Sequence, residues 1–86
     1  MALLEFYGDT CPHCIAMKPL VADLEKALGV TVEQYEVWNN ADNAKKMDEL
    51  DKGECGGVPY FYNTETNKHL CGSTDYESLK AWAQGS

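Results

Sequence analysis

The order of predicted elements indicates an α/β fold in which a four-stranded mixed sheet is flanked by helices, in the order β-α-β-α-β-β-α. Two observations carry this prediction. Apolar runs of strand length alternate with segments of helical periodicity, and two late strands are joined by a short polar turn. The first strand, helix and second strand form one parallel crossover, and the late pair forms an antiparallel hairpin. The 86 residues are enough for one compact domain, which we expect to span 1–86.

The first half of the chain predicts a strand, a helix and a second strand. The apolar run over residues 3–7 predicts a strand buried on both faces. Apolar side chains at three- and four-residue spacing predict a helix over 12–28, and Gly29 supplies its C-terminal stop. β-Branched and aromatic residues predict a strand over 30–38, with an irregularity in its alternation.

The second half predicts a short helix followed by a hairpin. Asp42 is the predicted N-cap of that helix, which ends at residues 52–53. Strands are predicted over 58–62 and 68–71, on either side of a five-residue polar turn. Pro59 then lies at the start or the edge of a strand.

The two ends of the chain carry further signals. Residues 74–77 form a capping-box pattern that predicts a final helix, and Gly85-Ser86 is a predicted frayed tail. Residues 1–6 lack the basic flank of a secretory signal, so we expect a cytoplasmic protein. No run of about 18 apolar residues is present, so we expect no membrane-spanning helix.

Charge narrows the classes of partner. Fourteen acidic and seven basic side chains give a net charge of −7, which repels phosphate backbones and anionic lipids. We therefore expect no nucleic acid and no membrane among the partners. Separately, we expect the protein to be a monomer. Either the charge only solvates the surface, or it selects a positively charged protein partner.

The chain has four cysteines, and their spacing separates one pair from the others. Cys11 and Cys14 form a C-x-x-C motif, whereas Cys55 and Cys71 stand in later segments. Four cysteines in a short chain fit a secreted scaffold, a metal site or a redox site. A bridge between Cys11 and Cys14 closes a very small loop and constrains the unfolded chain little. This pair is better suited to chemistry than to stapling.

The position of the motif at a helix start gives its two thiols different roles. Pro12 suits the first helical position, which leaves Cys11 at or beside the N-cap, where free N–H groups and the helix dipole favour a thiolate. We expect Cys11 to be the exposed nucleophile and Cys14 to be the sheltered thiol that resolves the mixed disulfide. His13 either favours the thiolate further or is an exposed histidine with little effect.

Residues 4–14, with Pro19 and the Gly57-Val58-Pro59 segment, resemble the thioredoxin superfamily. The resemblance implies a thioredoxin-like fold and a thiol–disulfide oxidoreductase activity on disulfide-containing proteins. It also implies a cis Val58–Pro59 bond that faces the active disulfide, where the backbone of Val58 pairs with substrate peptide. The electron donor implied is a reductase or glutathione.

Residues 69–79 are similar to the corresponding part of glutaredoxins. That resemblance implies that Gly72, Thr74 and Asp75 hold the γ-glutamyl end of glutathione, as a co-substrate rather than a bound cofactor. Plain helix capping by Thr74 and Asp75 is the alternative. Glutaredoxins usually carry a lysine shortly before the motif, where this chain has residues 9–10, Asp and Thr.

Three further residues are candidates for redox roles. Glu5 falls where thioredoxins carry a buried acid, which implies that it shuttles the proton of Cys14; a surface carboxylate at a strand edge is the alternative. If the hairpin pairs Val58 near Cys71, Cys55 lies at the same end of the sheet as the active site. Cys55 and Cys71 then form a second disulfide or a regulatory pair, or else Cys71 is a small buried residue and Cys55 a free thiol.

Two other functions compete with the oxidoreductase. In one, the four cysteines hold zinc, or the first thiol and glutathione hold an iron–sulfur cluster. The wide spacing of Cys55 and Cys71 disfavours zinc, and we expect no bound metal. In the other, the domain is an interaction module whose thiols never turn over, which the intact C-x-x-C disfavours.

Overall fold

The computed structural model describes residues 2–85, which form seven elements in the predicted order. The strands are β1 (Leu3–Tyr7), β2 (Val32–Glu36), β3 (Tyr60–Asn63) and β4 (Lys68–Cys71), and the helices are α1 (Pro12–Leu28), α2 (Ala41–Asp51) and α3 (Tyr76–Gln84). Met1, in the segment that lacks a signal pattern, and Ser86, in the predicted tail, lie outside the described residues. None of the helices formed by residues 2–85 combines the length and apolar character needed to cross a bilayer.

The four strands form one mixed sheet in the order β2-β1-β3-β4. β1 pairs in parallel with β2, so α1 is the crossover between them, while β3 pairs antiparallel with both β1 and β4. The predicted fold class is therefore confirmed.

Helices bury both faces of the sheet because alternate residues of β1 point to opposite sides. Leu3 joins a core cluster formed with α1 and α3, whereas Leu4 and Phe6 join a second cluster that includes Met47 of α2. By the same alternation Glu5 faces the α1 side of the sheet. Its position follows from the pleat and places a carboxyl group beneath the first turns of α1.

The second strand is shorter than predicted. We expected it over 30–38, but it covers Val32–Glu36, because each of its five residues pairs with one of the five in β1. The length of the neighbouring strand, and not β-propensity alone, sets its limits. The predicted N-cap of α2 is also wrong: Asn40 caps the helix by accepting from the backbone N–H of Asn43 at 3.0 Å, and Asp42 lies in the first turn.

The hairpin differs from the prediction at both ends of β3. The strand begins at Tyr60 and not at residue 58, since Pro59 has no N–H for a ladder. It continues through Asn63, which leaves a four-residue turn over 64–67. The buried Asn63 amide accepts from the N–H of Glu65 at 2.9 Å and donates to the carbonyl of Trp82 at 3.1 Å. One side chain thus ties the turn to α3.

The capping-box prediction for the last helix is wrong by one residue. Asp75, and not Thr74, is the N-cap of α3, and its Oδ1 accepts from the backbone N–H of Ser78 at 2.8 Å. Glu77 is consequently one position too early to close the box. Gly85, which the sequence placed in a frayed tail, is the C-cap with φ +77°.

Candidate active site

The Cys-Pro-His-Cys motif opens α1 directly after the loop that follows β1. Cys11 is the N-cap with an extended backbone, and Pro12 takes the first helical position. The Sγ atom of Cys11 accepts a hydrogen bond from the backbone N–H of Cys14 at 3.1 Å. Backbone N–H groups at a helix start stabilise negative charge on such an atom. The first cysteine, and not the second, occupies the cap.

Cys11 and Cys14 are joined as a disulfide, with their Cα atoms 5.2 Å apart. The two residues are only 3% and 2% exposed, so the expectation of an exposed Cys11 is wrong for this disulfide state. The carbonyl oxygen of Val58 lies 3.9 Å from Cys11 Sγ and covers it. The two sulfurs therefore differ in their neighbours rather than in their exposure.

The other two residues of the motif lie at the surface. Pro12 and His13 are both exposed in the first turn of α1, between the two cysteines. This position brings the imidazole beside the disulfide without burying it. The influence of His13 on the redox properties of the pair stays a prediction.

The segment between α2 and β3 lies across the disulfide. The Val58–Pro59 peptide bond is cis, Pro59 is buried, and the Val58 carbonyl faces Cys11. The carbonyl of Pro59 accepts from the N–H of Gly72 at 2.8 Å. This bond ties the segment to the end of β4 and brings Gly72 to the edge of the site.

Gly72 leads directly into the start of α3. Its φ of +84° is in the left-handed region, which glycine adopts without strain. Thr74 is half-buried, and Asp75 is the exposed N-cap. The hydrogen bond from the backbone N–H of Ser78 lowers the pKa of the Asp75 carboxyl group. Capping therefore already occupies one Asp75 oxygen, and glutathione binding by these residues stays a prediction.

Glu5 is buried behind the disulfide. It is 1% exposed, so the alternative of a surface carboxylate is wrong. Gln34 Nε2 donates to Glu5 Oε1 at 2.9 Å, and both residues line a cavity of about 120 Å³ together with Cys14 and Lys18. Burial raises the pKa of Glu5, although the bond from Gln34 and the charge of Lys18 act in the opposite direction. A carboxyl group that holds its proton more tightly than usual shares a cavity with the inner cysteine.

Cys55 and Cys71 are joined by a second disulfide, with Cα atoms 5.6 Å apart. Cys71, the last residue of β4, is exposed, so the alternative of a buried Cys71 is wrong. In the hairpin Cys71 pairs with Tyr60, two residues after Val58, so Val58 lies near Cys71 without pairing with it. Cys55, one end of this disulfide, is three residues before Val58, whose carbonyl faces Cys11.

The cysteines do not assemble into one metal-ligand set. They form two separate pairs, and residues 2–85 contain no group of three or more His, Cys, Asp or Glu side chains placed to hold a metal ion. The zinc alternative requires all four cysteines around one ion, whereas here they form two separate disulfides.

The profile of the thioredoxin family matches residues 1–84. The chain belongs to the thioredoxin family. A curated relative, the "Thiol:disulfide interchange protein TxlA homolog" of Synechocystis sp., is 34% identical over 83 residues. That match covers 95% of this chain but 45% of the relative, so the chain spans less than half of the relative's length. The crystal structure of a glutaredoxin from Archaeoglobus fulgidus is similar with a TM-score of 0.68 and 25% identity, over 99% of this chain and 89% of the other.

These matches confirm the resemblance stated from residues 4–14 and from the Gly57-Val58-Pro59 segment. They place a chain with a Cys11–Cys14 disulfide in a family that includes a protein named for thiol:disulfide interchange. Proteins of this family act on disulfide substrates.

Glu36 is a site residue that the sequence did not reveal. Its carboxylate accepts from the backbone N–H groups of Asn39 at 2.7 Å, Asp9 at 2.9 Å and Trp38 at 3.0 Å. Desolvation raises the pKa of Glu36, but these three hydrogen bonds outweigh it and lower the pKa overall. The carboxylate braces the loop before Cys11 against the loop after β2. A glutamate at a strand end gives no sequence signal of this role.

Trp38 was likewise missed, and Gly8 offers the signal that points to it. The indole of Trp38 lies so close to Gly8 that a Cβ atom there would collide with the ring. A glycine directly after a buried strand often marks a close approach of this kind. Trp38 is 53% exposed, so an apolar ring lies at the surface beside the loop that leads to Cys11.

Proposed function

We propose that this domain exchanges a Cys11–Cys14 dithiol or disulfide with protein disulfides, with Cys11 as the nucleophile and Cys14 as the resolving thiol. The observation that carries this proposal is the position of the Cys11 sulfur at the helix cap, where it accepts the N–H of Cys14. A negative sulfur is stabilised there, and the thiolate is the reactive form of cysteine.

In the reducing direction, the Cys11 thiolate attacks one sulfur of the substrate disulfide. A Cys11–substrate bond forms, and the other substrate sulfur leaves as a thiolate that takes up a proton. Cys14 then loses its proton and attacks Cys11 Sγ, which releases the second substrate sulfur. The substrate gains two electrons and two protons, and the enzyme is left as the Cys11–Cys14 disulfide. The same steps in reverse oxidise a dithiol.

Glu5 is the proposed acceptor of the Cys14 proton. The two residues line one cavity of about 120 Å³, which has room for a bridging water molecule. The raised pKa of Glu5 supports this role, because a base works best when its pKa approaches the working pH. Burial supplies that shift.

The surroundings of the disulfide favour a protein as the substrate. Ile15 and Trp38 are each 53% exposed near the motif, and a cleft of about 380 Å³ lies between α2 and residues 56–58. Such exposed apolar side chains mark interaction surfaces. The backbone of Val58 is the proposed pairing edge for the substrate peptide. The net charge of −7 favours substrates that carry basic residues.

The source of electrons is either glutathione or a reductase. We propose that glutathione acts as a co-substrate, held by Gly72, Thr74 and Asp75 at the start of α3, with no resident cofactor. The hydrogen bond between Gly72 and Pro59 supports this site, since it joins the helix start to the edge of the disulfide. Cytoplasmic location and a monomeric state stay predictions.

Two matched serine variants test the proposal. Cys11→Ser should abolish reduction of insulin and of hydroxyethyl disulfide, because the attacking sulfur is gone. Cys14→Ser should still attack but not resolve, and should accumulate a mixed disulfide that mass spectrometry places on Cys11. Unchanged reduction by Cys11→Ser, or a mixed disulfide placed elsewhere, would refute the assignment.

A further inference from the structure

We propose that the Cys55–Cys71 disulfide is a second thiol–disulfide exchange site, opened by an external dithiol, and that its closed form holds the Val58 edge in place for protein substrates. This inference rests on the proposed function, because the edge concerned is the one that faces Cys11. In this proposal the Cys55–Cys71 pair controls how well protein substrates react and does not itself turn over substrate.

The bond connects a segment without regular structure to the rigid sheet. Cys55 lies between α2 and β3, whereas Cys71 ends β4. Three residues after Cys55, the carbonyl of Val58 lies 3.9 Å from Cys11 Sγ. The disulfide therefore anchors the segment close to its point of contact with the nucleophile.

Cys55 and Val58 pack against the core on one side of the sheet, but the two glycines between them have little packing. A Cβ atom built on Gly56 or on Gly57 would meet no atom within 4 Å, so one side of the segment is open. The buried Asp51 carboxylate holds its beginning, by accepting from the N–H groups of Cys55 at 2.7 Å and Gly56 at 2.9 Å. Two consecutive glycines have a large conformational freedom to lose, so a covalent tether matters more here than in a packed loop.

The bond is accessible without unfolding. Cys71 is exposed and Cys55 is half-buried, and exposed disulfides are the ones that external thiols open most readily. A dithiol attacks Cys71 Sγ as its thiolate, and Cys55 Sγ leaves as a thiolate and takes up a proton. The second thiol of the dithiol then loses its proton and releases Cys71. The pair gains two electrons and two protons, and the dithiol becomes a disulfide.

Opening this bond should affect large and small substrates differently. A protein substrate that pairs with the Val58 backbone must order a loosened segment when it binds, and that ordering weakens binding. A small dithiol reaches the Cys11–Cys14 pair without using the edge. Selective loss of the protein reaction is therefore the signature of the proposed control.

This selectivity is tested by a single turnover, in which the Cys11–Cys14 disulfide oxidises an added dithiol. The wild-type protein starts with its Cys55–Cys71 disulfide closed. The fully oxidised protein and the variants C55S, C71S and C55S/C71S are mixed with reduced ribonuclease A or with dithiothreitol. Acid quenching, alkylation and mass spectrometry follow the Cys11–Cys14 pair separately from the other. All three variants should react about fivefold more slowly with ribonuclease A and within about twofold of wild type with dithiothreitol.

Equal ribonuclease A rates in all four proteins, or rates that fall equally with both dithiols, would overturn the inference. Variants that differ among themselves would also contradict it, since each lacks the same bond. Wild-type protein that oxidises neither dithiol would instead refute the proposed function.

The C11S/C14S variant keeps the proposal testable if the serine variants fold poorly. It retains only the Cys55–Cys71 pair, which is titrated with mixtures of reduced and oxidised dithiothreitol. Opening the bond should leave the far-ultraviolet circular dichroism unchanged and should speed amide exchange at Gly56, Gly57 and Val58 about tenfold. Unchanged exchange at these three amides, or loss of the whole fold on reduction, would overturn the proposal.

Discussion

Glu5 shows how the environment of one side chain changes its chemistry. The residue lies on the α1 face of β1 and is 1% exposed. Among the described residues, Gln34 donates a side-chain hydrogen bond to its carboxyl group. Burial raises the pKa of its carboxyl group from the ordinary value of 4.5. The folded state then binds the proton more tightly than the unfolded state. The contribution of Glu5 to stability is therefore present below pH 4.5 and is lost as the pH rises through the raised pKa.

Replacing Glu5→Gln should separate stability from activity. The substituted amide keeps an oxygen for Gln34 and carries no charge, so the free energy of unfolding should exceed that of wild type increasingly as the pH rises above 4.5. Turnover should fall about 10- to 100-fold at neutral pH, with less loss at higher pH, because the proposed acceptor of the Cys14 proton is absent. Denaturant unfolding and insulin reduction across pH 4–9 measure the two effects.

The exposed Glu49→Gln is the matched control for the removal of one negative charge. It should change neither quantity appreciably. If Glu5→Gln lowered stability and activity together at every pH, Glu5 would be a structural residue and not a proton acceptor.

Short motifs allowed some site residues to be predicted, while others depend on contacts distant in sequence. Cys11, Cys14 and Pro59 stand in local patterns whose chemistry depends on spacing alone. The coverage of Cys11 by the Val58 carbonyl depends on a segment 47 residues away, so the sequence could not show it. Glu36 acts through two loops at once and resembles any other surface glutamate in the sequence.

The strands and loops around Glu36 hold the start of α1 in place. Its carboxylate joins the N–H of Asp9, before the motif, to those of Trp38 and Asn39, after β2. The N–H of Val37 also donates to the carbonyl of Tyr7 at 2.8 Å, so β1 and β2 stay paired as both strands end. The loop before Cys11 is therefore tied to β2, which forms one edge of the sheet.

Replacing Glu36→Gln should loosen this loop and show a pH dependence opposite to that of Glu5. The three hydrogen bonds lower the pKa of Glu36 overall, so the stabilisation that it provides is present above the ordinary value of 4.5 and is lost as the pH falls through the lowered pKa. The variant should lose less stability than wild type on acidification below 4.5. Its kcat/KM with insulin should fall about three- to tenfold, because the nucleophile is less well positioned.

Glu33→Gln removes the same charge from the same strand at an exposed position and serves as the control. Unfolding titrations and insulin reduction apply to both variants. Equal behaviour of the two would show that Glu36 contributes only charge and does not brace the loop.

Element types followed from periodicity, whereas element ends depended on neighbours. Apolar spacing predicted α1 over 12–28, where it is observed, because a helix contains its own hydrogen bonds. β2 is five residues long because β1 offers five partners, a limit that its own sequence does not contain. The cap of α3 shifted by one residue because Thr74 and Asp75 are both good caps and the local chain path decides between them.

The whole molecule brings three distant segments to one end of the sheet. The cap of α1, the segment before β3 and the end of β4 meet there, through the Cys11–Val58 contact and the Pro59–Gly72 hydrogen bond. Both disulfides belong to this end, one within the active motif and one anchoring the segment that covers it. The order of elements predicted this meeting in outline, but the exact pairing of Cys71 with Tyr60 depends on the length of the turn, which the sequence pattern did not define.

The central claim is that the fold makes the two sulfurs of the motif chemically unequal. Alkylation of the fully reduced protein with iodoacetamide at pH 6.5, followed residue by residue with mass spectrometry, tests this most directly. The position of Cys11 at the helix cap predicts that it reacts at least about tenfold faster than Cys14. Equal rates for both cysteines, or a faster Cys14, would contradict the account.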